Sequence, residues 1–214
     1  MVWFRGMKTH LLLALFVVNS ALAALLEPTG KVATTVEGVA IHEQAKTALF
    51  PAPLTLTGAG KRVKKIVLLK IDVYAAAHYL DAGAKLDPAD PMAGVKAAKA
   101  KAIQLTFLRD VDSGKIRDSF SDALKKNGVD LQSPVMKSVL GRLTFDMKEK
   151  QTLTLVGIKR ADGTEVLHFE APTGPFQVEG PAIASEFWKI WFGEPEDGGL
   201  EKLKAALVGS ATKS

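Results

Sequence analysis

Arg62 is the side chain in this sequence with the most chemistry to offer. It follows Gly58-Ala59-Gly60 and stands among Lys61, Lys64 and Lys65, the one dense basic cluster of the chain. A guanidinium is always ionised and forked, so it can hold a carboxylate, phenolate or enolate through two hydrogen bonds. The plainer reading makes Arg62 one more exposed cation beside Lys61 and Lys64, and the local sequence by itself favours it. Four histidines are present, His10, His42, His78 and His168. None lies three or four residues from another, so no helical metal face exists. His78 and His168 fall in predicted strands, where a hydrogen-bonded sheet histidine is the expectation. Asp110 and Asp112 bracket a predicted helix start, where the dipole favours carboxylates, and read as capping rather than as a catalytic pair. With no cysteine, disulfides, thiolate metal sites and cysteine catalysis are excluded. No nucleophile elbow or P-loop occurs, and Gly58-Ala59-Gly60 lacks the third glycine and the following helix of a dinucleotide fingerprint. No cofactor is indicated.

The elements that would position Arg62 are extended. Thr35 to Ile41 and Leu54 to Thr57 read as short strands, with Gly58-Ala59-Gly60 as a turn. Ile66 to Leu80 is a long run rich in β-branched and aromatic residues. Strict alternation puts Ile71, Val73, Ala75, Ala77 and Tyr79 on one face, and Lys70, Asp72, Tyr74, Ala76, His78 and Leu80 on the other. Asp90-Pro91 starts a short helix, and Ala102 to Leu108 is a strand. Ser113 caps a helix in which Ile116, Phe120, Ala123 and Leu124 recur at helical spacing, ending at Asn127-Gly128. Leu131, Val135, Val139 and Leu140 mark another. Gln151 to Lys159 and Thr164 to Phe169 form a hairpin around Ala161-Asp162-Gly163. Pro181 opens a helix carrying Ile183, Phe187, Ile190 and Trp191. After a loop from Gly193 to Gly199, Leu200, Leu203 and Leu207 mark a last helix ending at Gly209. Strands, helices, a hairpin and helices in that order predict an α+β fold, an antiparallel sheet with helices on one side.

The chain has 214 residues, 47% hydrophobic and 24% charged, which suits one compact domain with a real core. Its start reads as an export signal: Arg5, Lys8 and His10, an apolar run from Leu11 to Val18, then Ala21-Leu22-Ala23 as the cleavage pattern. Met7 is an alternative start. The expected division is a signal peptide over 1–23 and one domain over 24–214, exported and, in a cell with an outer membrane, periplasmic. No later run is apolar for long enough to cross a bilayer as a helix. Cleavage removes Arg5 and Lys8 and no acid, so the net charge falls from +5 to +3. Lys61, Arg62, Lys64 and Lys65 then read as a solvated hairpin, and nucleic acid is not expected as a partner.

Gly58-Ala59-Gly60-Lys61-Arg62, followed by a basic and aliphatic strand ending in Val73-Tyr74, resembles the chalcone isomerase family, in which a G-x-G-x-R turn leads to a strand ending in V-Y. Phe107-Leu108-Arg109-Asp110 with the helix after it, the Trp191-Phe192-Gly193 segment, and Leu200 to Gly209 resemble further pieces of its bacterial members. The likeness spans residues 35–209. It implies an open-faced β-sandwich with a ligand cleft between sheet and helices. It also implies two possible activities. True isomerases close a chalcone to a flavanone with an arginine as main electrophile and a hydrogen-bonding set around it; relatives without the set are non-catalytic, and some bind fatty acids. Carried over residue by residue, the arginine falls on Arg62. The strand threonine falls on Leu69, the helix tyrosine near Ile116, its asparagine partner near Ala123, and the late threonine on Ile190. Four of the five polar positions are thus apolar.

The resemblance therefore leads us to expect a cleft lined by Leu69, Ile116, Ala123 and Ile190 with Arg62 at its mouth. Such a cleft would take a small amphipathic ligand such as a fatty acid and lack the ordered water that the isomerisation needs. The alternatives are an intramolecular lyase acting on an unsaturated carbonyl compound through Arg62, and a structural or partner-binding periplasmic module.

Overall fold

The computed structural model describes residues 24–209. Its strands are β1 (Glu27–Val36), β2 (Val39–Thr47), β3 (Phe50–Ile66), β4 (Leu69–Asp81), β5 (Ala100–Phe107), β6 (Thr152–Lys159), β7 (Thr164–Ala171) and β8 (Gly174–Pro181). The helices are α1 (Pro91–Ala97), α2 (Ser113–Lys126), α3 (Pro134–Arg142), α4 (Ile183–Phe192) and α5 (Gly198–Leu207). All eight strands join one antiparallel sheet in sequence order. The fold is α+β, as the element order implies. The signal-peptide reading, with its cut after Ala23, falls outside the described residues.

Two hydrophobic clusters close the two faces of the sheet. On one, Ile103, Leu105, Leu155, Leu167 and Phe169 lie under α2, α3 and α4. Phe187 of α4 meets the ring edges of Phe120 and Phe169 at 5.7 and 5.5 Å. Each such fully buried Phe or Leu stabilises the fold by roughly 1.5–3 kcal/mol relative to exposure. On the other face the β1–β2 hairpin curls back over the sheet. Leu26, Ile41, Ala45 and Leu54 pack there on Ala77, Tyr79, Ala102 and Val156. The amide of Leu25 reaches as far as β7, donating to Glu170 Oε2 at 3.2 Å. Both faces are thus closed by residues between 25 and 208.

Several local expectations are corrected. The strand expected over Thr35 to Ile41 is interrupted by a tight turn, Glu37-Gly38, both at positive φ (48° and 80°), as a hairpin of type I′ requires. Gly58-Ala59-Gly60 is no turn: β3 continues through it, with a register slip against β4 at Thr57 just before. The glycines are there for space, since a Cβ on Gly58 would stand 2.1 Å from the Ala206 carbonyl oxygen and one on Gly60 2.7 Å from Ala206 Cβ. They let α5 lie on the strand. The real turn is Val67-Leu68. Pro181 closes β8 rather than opening a helix; α4 begins at Ile183, after Ala182 at φ 55°. Strict alternation in β4 also fails. The register slips between Arg62↔Tyr74 and Val63↔Asp72, leaving Val73 as an extra residue. Beyond this bulge Tyr74 and Ala76 share the helix-covered face, while Ala77 and Tyr79 join the other cluster.

Candidate functional site

The strand pair β3–β4 is longer than its neighbours. β2 pairs with β3 only as far as Thr55, and β5 pairs with β4 only from Tyr74 onward. Residues 63–72 therefore pair with each other alone, as a two-stranded arm extending past the sheet. Where the arm leaves the sheet, under the start of α2, lies a cavity of about 320 Å³. That volume is at the small end of the range for small-molecule sites.

The cavity wall is mostly apolar: Ile66, Ile71 and Val73 from the arm, Phe107 from β5, Ile116 and Phe120 from α2. Its charges are Arg62, Lys64, Arg109 and Lys115 against the single acid Asp110. The bulge matters here, since it turns both Val73 and Tyr74 into the cavity. Tyr74 accepts a hydrogen bond from Trp191 Nε1 at 3.2 Å, and its own O–H has no acceptor among the described residues. Burial raises the phenol's pKa, with Trp191 and Arg62 acting in the opposite sense. Tyr74 therefore stays a neutral donor at neutral pH.

Arg62 is neither the exposed cation of the plain reading nor an open fork at a cleft mouth. It is buried, with 4% of its surface exposed. Its Nη1 and Nη2 grip both oxygens of Asp197 at 2.6 and 2.7 Å, and Nη1 also donates to the Val63 carbonyl at 2.7 Å. Asp197 simultaneously caps α5, accepting from the amides of Gly199 and Leu200, both at 2.9 Å. Burial works to raise the Asp197 carboxyl, but Arg62 and the two amides outweigh it and hold it below the usual range. For Arg62, burial lowers and the Asp197 bond raises, with a net rise. Gly199 makes the approach possible, since a Cβ there would lie 1.9 Å from the Val63 carbonyl oxygen. The pair is a clamp between β3 and α5. It uses three of the five guanidinium N–H groups, leaving two without a protein partner among the described residues.

The other expected lining residues divide. Ile116 joins Arg62 in the cavity wall. Leu69 does not: it stands at the end of the arm, 69% exposed. Ala123, nearly two turns further along α2, and Ile190 on α4 are sealed in the core. Of the cavity's lining only Arg62 and Ile116 were expected there from sequence; Tyr74, Phe107 and Phe120 were not, nor were Lys64, Ile66, Ile71, Val73, Arg109 and Lys115. Tyr74 was signalled by the V-Y pair, but strict alternation assigned it to the face opposite Val73.

The remaining polar candidates are structural. Asp110 accepts the Glu149 amide and pairs with Lys148, which together hold it below the usual carboxylate range. Asp112, and not Ser113, stands at the cap position of α2; it makes no side-chain cap bond and pairs with Lys115 instead, while Ser113 is the first helical residue. His78 is fully buried between Thr57 Oγ1 (2.7 Å from Nδ1) and Trp188 Nε1 (2.9 Å from Nε2). Indole N–H only donates, so Nε2 is the unprotonated nitrogen. Burial, aided by the charge of Lys101, lowers its pKa to about 3. Lys101 and Glu165, 2.8 Å apart and buried, are closed off by Ser185 and the Val95 carbonyl. Among the described residues no cluster of three or more His, Asp or Glu could hold a metal, and no helix is long and apolar enough to cross a membrane.

Sheet, helical cover and cavity together define an open-faced β-sandwich with a ligand-sized space between sheet and helix. The chalcone isomerase-like family matches residues 33–209, and this chain belongs to it. Among curated proteins no sequence matches. A solved structure similar to this one is a fatty-acid binding protein of Arabidopsis thaliana, with TM-score 0.54 and 17% identity over 77% of this chain and 91% of that one. At that identity the likeness speaks to the fold.

Proposed function

We propose that this protein is a non-catalytic binder of a small amphipathic anion, with a fatty acid as the ligand class, held in the cavity under α2. The observation that carries this reading is the cavity's composition: a mostly apolar wall that also carries the cations Arg62, Lys64, Arg109 and Lys115. The alkyl chain would leave water against Ile66, Ile71, Phe107 and Phe120, and the head group would meet Tyr74 O–H and the unpartnered N–H groups of Arg62. The fatty-acid binding protein of the same fold supports the choice of ligand. Catalysis by Arg62 as an electrophile would need an open fork, and Asp197 fills it. No lining residue is poised as a general base: Asp110 is tied to Lys148 and Glu149, and Tyr74 is kept neutral. We further propose export to the periplasm, supported by the charged, apolar and Ala21-Leu22-Ala23 segments; an intact Met1 or Met7 on cell-fractionated protein would overturn it.

Titration calorimetry on delipidated protein with saturated fatty acids of increasing length tests the ligand. Affinity should rise by about 0.8 kcal/mol per methylene until the cavity is filled. Tyr74→Phe should weaken binding about tenfold or more, through loss of a hydrogen bond to a charged group. Ser119→Trp, which puts an indole into the cavity, should abolish it. The proposal fails if the wild type binds none of the series, or if both variants bind as well as it does.

A further inference from the structure

The arm ends in a feature that folding does not explain, and of its four residues only Ile66 also lines the cavity. Ile66, Val67, Leu68 and Leu69 are 52%, 84%, 89% and 69% exposed, and together form the largest run of exposed aliphatic side chains among the described residues. They sit at a two-residue turn, where Gly, Asn, Asp or Ser is the usual choice. Val67 is moreover held at φ 55°, a strained conformation for a β-branched residue. The sequence keeps apolar residues here against both solvation and turn chemistry, and such a broken local rule is expected where function demands it.

Behind the apolar end comes a collar of cations. Lys65 and Lys70 face each other directly across the two strands, and Lys64 lies one residue further back. None of the three has a salt bridge among the described residues, whereas Lys61 is held by Glu37 and Asp72. Like charges directly opposite in a hairpin repel, so Lys65 and Lys70 are a cost to the protein alone and a gain against an anionic surface. At about 3.3 Å per residue, Val67 lies roughly 7 Å beyond Lys65. That spacing matches the roughly 5–10 Å to which interfacial apolar groups enter a bilayer below its phosphates. A nucleic acid would satisfy the lysines and leave the four aliphatic side chains in water.

We propose that the tip of the β3–β4 arm docks this protein on an anionic lipid bilayer, with Ile66 to Leu69 in the acyl boundary and Lys64, Lys65 and Lys70 at the phosphates. The inference does not rest on the cavity's being a fatty-acid site. Lys64, Ile66 and Ile71 belong to both arm and cavity, so docking brings the cavity mouth to the membrane.

The test is co-sedimentation of the protein in its proposed exported form, beginning at Ala24, with phosphatidylcholine vesicles with and without phosphatidylglycerol; a native circular-dichroism spectrum is checked first. Binding should be at least tenfold stronger with phosphatidylglycerol and should weaken in high salt. Val67→Gly/Leu68→Ser installs the residues this turn prefers. It should leave the melting temperature equal or higher while weakening vesicle binding at least tenfold. Lys65→Gln/Lys70→Gln should weaken it about tenfold or more without loss of fold. The proposal is overturned if the wild type ignores both vesicles, or if the turn variant binds as strongly. It is overturned equally if the tip instead mediates a dimer, seen as self-association lost in the turn variant with no vesicle binding.

Discussion

The Arg62–Asp197 clamp makes an asymmetric prediction, because its partners differ in access to water: 5% of the Arg62 side chain is exposed against 35% of the Asp197 side chain. Asp197→Asn leaves a buried guanidinium without its counter-charge while keeping a good cap. An unpaired buried charge costs about 3–5 kcal/mol, and the lower part of that range applies because the Asn oxygen and the Val63 carbonyl still accept hydrogen bonds. Asp197→Ala adds loss of the cap, about 1 kcal/mol more. Arg62→Met removes the same ion pair from the other side. The remaining carboxylate is hydrated, still accepts the Gly199 and Leu200 amides, and should lose only about 1–2 kcal/mol. The double variant Arg62→Met/Asp197→Ala should cost well under the sum of its singles, since no buried charge is stranded. Urea denaturation followed by far-ultraviolet circular dichroism reads all four, with slope m unchanged. Each kcal/mol corresponds to about 2–4 °C in melting temperature for a domain of this size. The reasoning is refuted if Arg62→Met costs as much as Asp197→Asn, or if the double variant is additive.

His78 should make stability fall with acid. Its folded pKa of about 3 lies below the unfolded value of about 6.5; between the two the unfolded chain binds the extra proton. Stability is full above about pH 6.5 and drops by about 1.4 kcal/mol per pH unit below it, so about 2 kcal/mol is lost from pH 7.5 to pH 5. Denaturation at the two pH values should show the loss in the wild type and a smaller one in His78→Gln. Gly58→Ala should destabilise by about 1–3 kcal/mol by prying α5 from β3, whereas Gly141→Ala, whose Cβ meets nothing within 4 Å, should stabilise α3 by about 0.5–1 kcal/mol; equal effects in thermal melts would contradict the packing argument. Chalcone absorbance should decay at the spontaneous rate in the presence of the protein, and an enzyme-dependent rate lost in Arg62→Ala would reverse the non-catalytic reading. In hydrogen exchange, amides of residues 63–72 should exchange by local opening while those of Tyr74 to Leu80 approach global protection; equal protection of the two stretches would show that the arm is no separate ribbon.

Helices α2 and α5 were legible because their apolar spacing is local: Ile116, Phe120, Ala123 and Leu124 on α2 all reach the core, as do Leu200, Leu203 and Leu207 on α5; the helix expected from Leu131 begins only at Pro134, after its cap Ser133. The β6–β7 hairpin announced itself through Ala161-Asp162-Gly163. β8 did not, because its sequence GPFQVEGP carries glycine and proline at both ends and few strand formers. Gly58 and Gly60 misled for a different reason. A glycine kept for a positive φ and one kept for space look identical in sequence, and these two are kept for space. Val67-Leu68 turns the chain with residues that give no turn signal. At the site, Arg62 was recognisable as special, but its partner stands 135 residues away, and no spacing rule reaches that far. Leu69 was misplaced because counting back along β4 from Tyr74 assumes a strand that stays in the sheet, while beyond the Val73 bulge it has become the arm.

That same bulge divides the cavity wall mechanically. Tyr74 and Phe107 belong to the part of β4 and β5 that is paired on both sides, and Tyr74 is further fixed by Trp191. Lys64, Ile66 and Ile71 belong to the arm, whose ladder is only two strands wide; an isolated two-stranded ribbon is marginal in water. The wall that would hold a head group is therefore rigid, and of the wall facing an alkyl chain Phe107 is fixed while Ile66 and Ile71 lie on the part of the sheet that costs least to bend. A displacement of the arm would pivot at Val73, whose carbonyl is held by the Leu108 amide at 3.0 Å, and would spare the β4–β5 ladder, which starts at Tyr74. Arg62 sits at the pivot, and its bond to Asp197 anchors the sheet end of β3 to α5 while the distal end stays free to move. On this account the ion pair that closes the fork of Arg62 is what lets one long hairpin be core at one end and a yielding wall at the other.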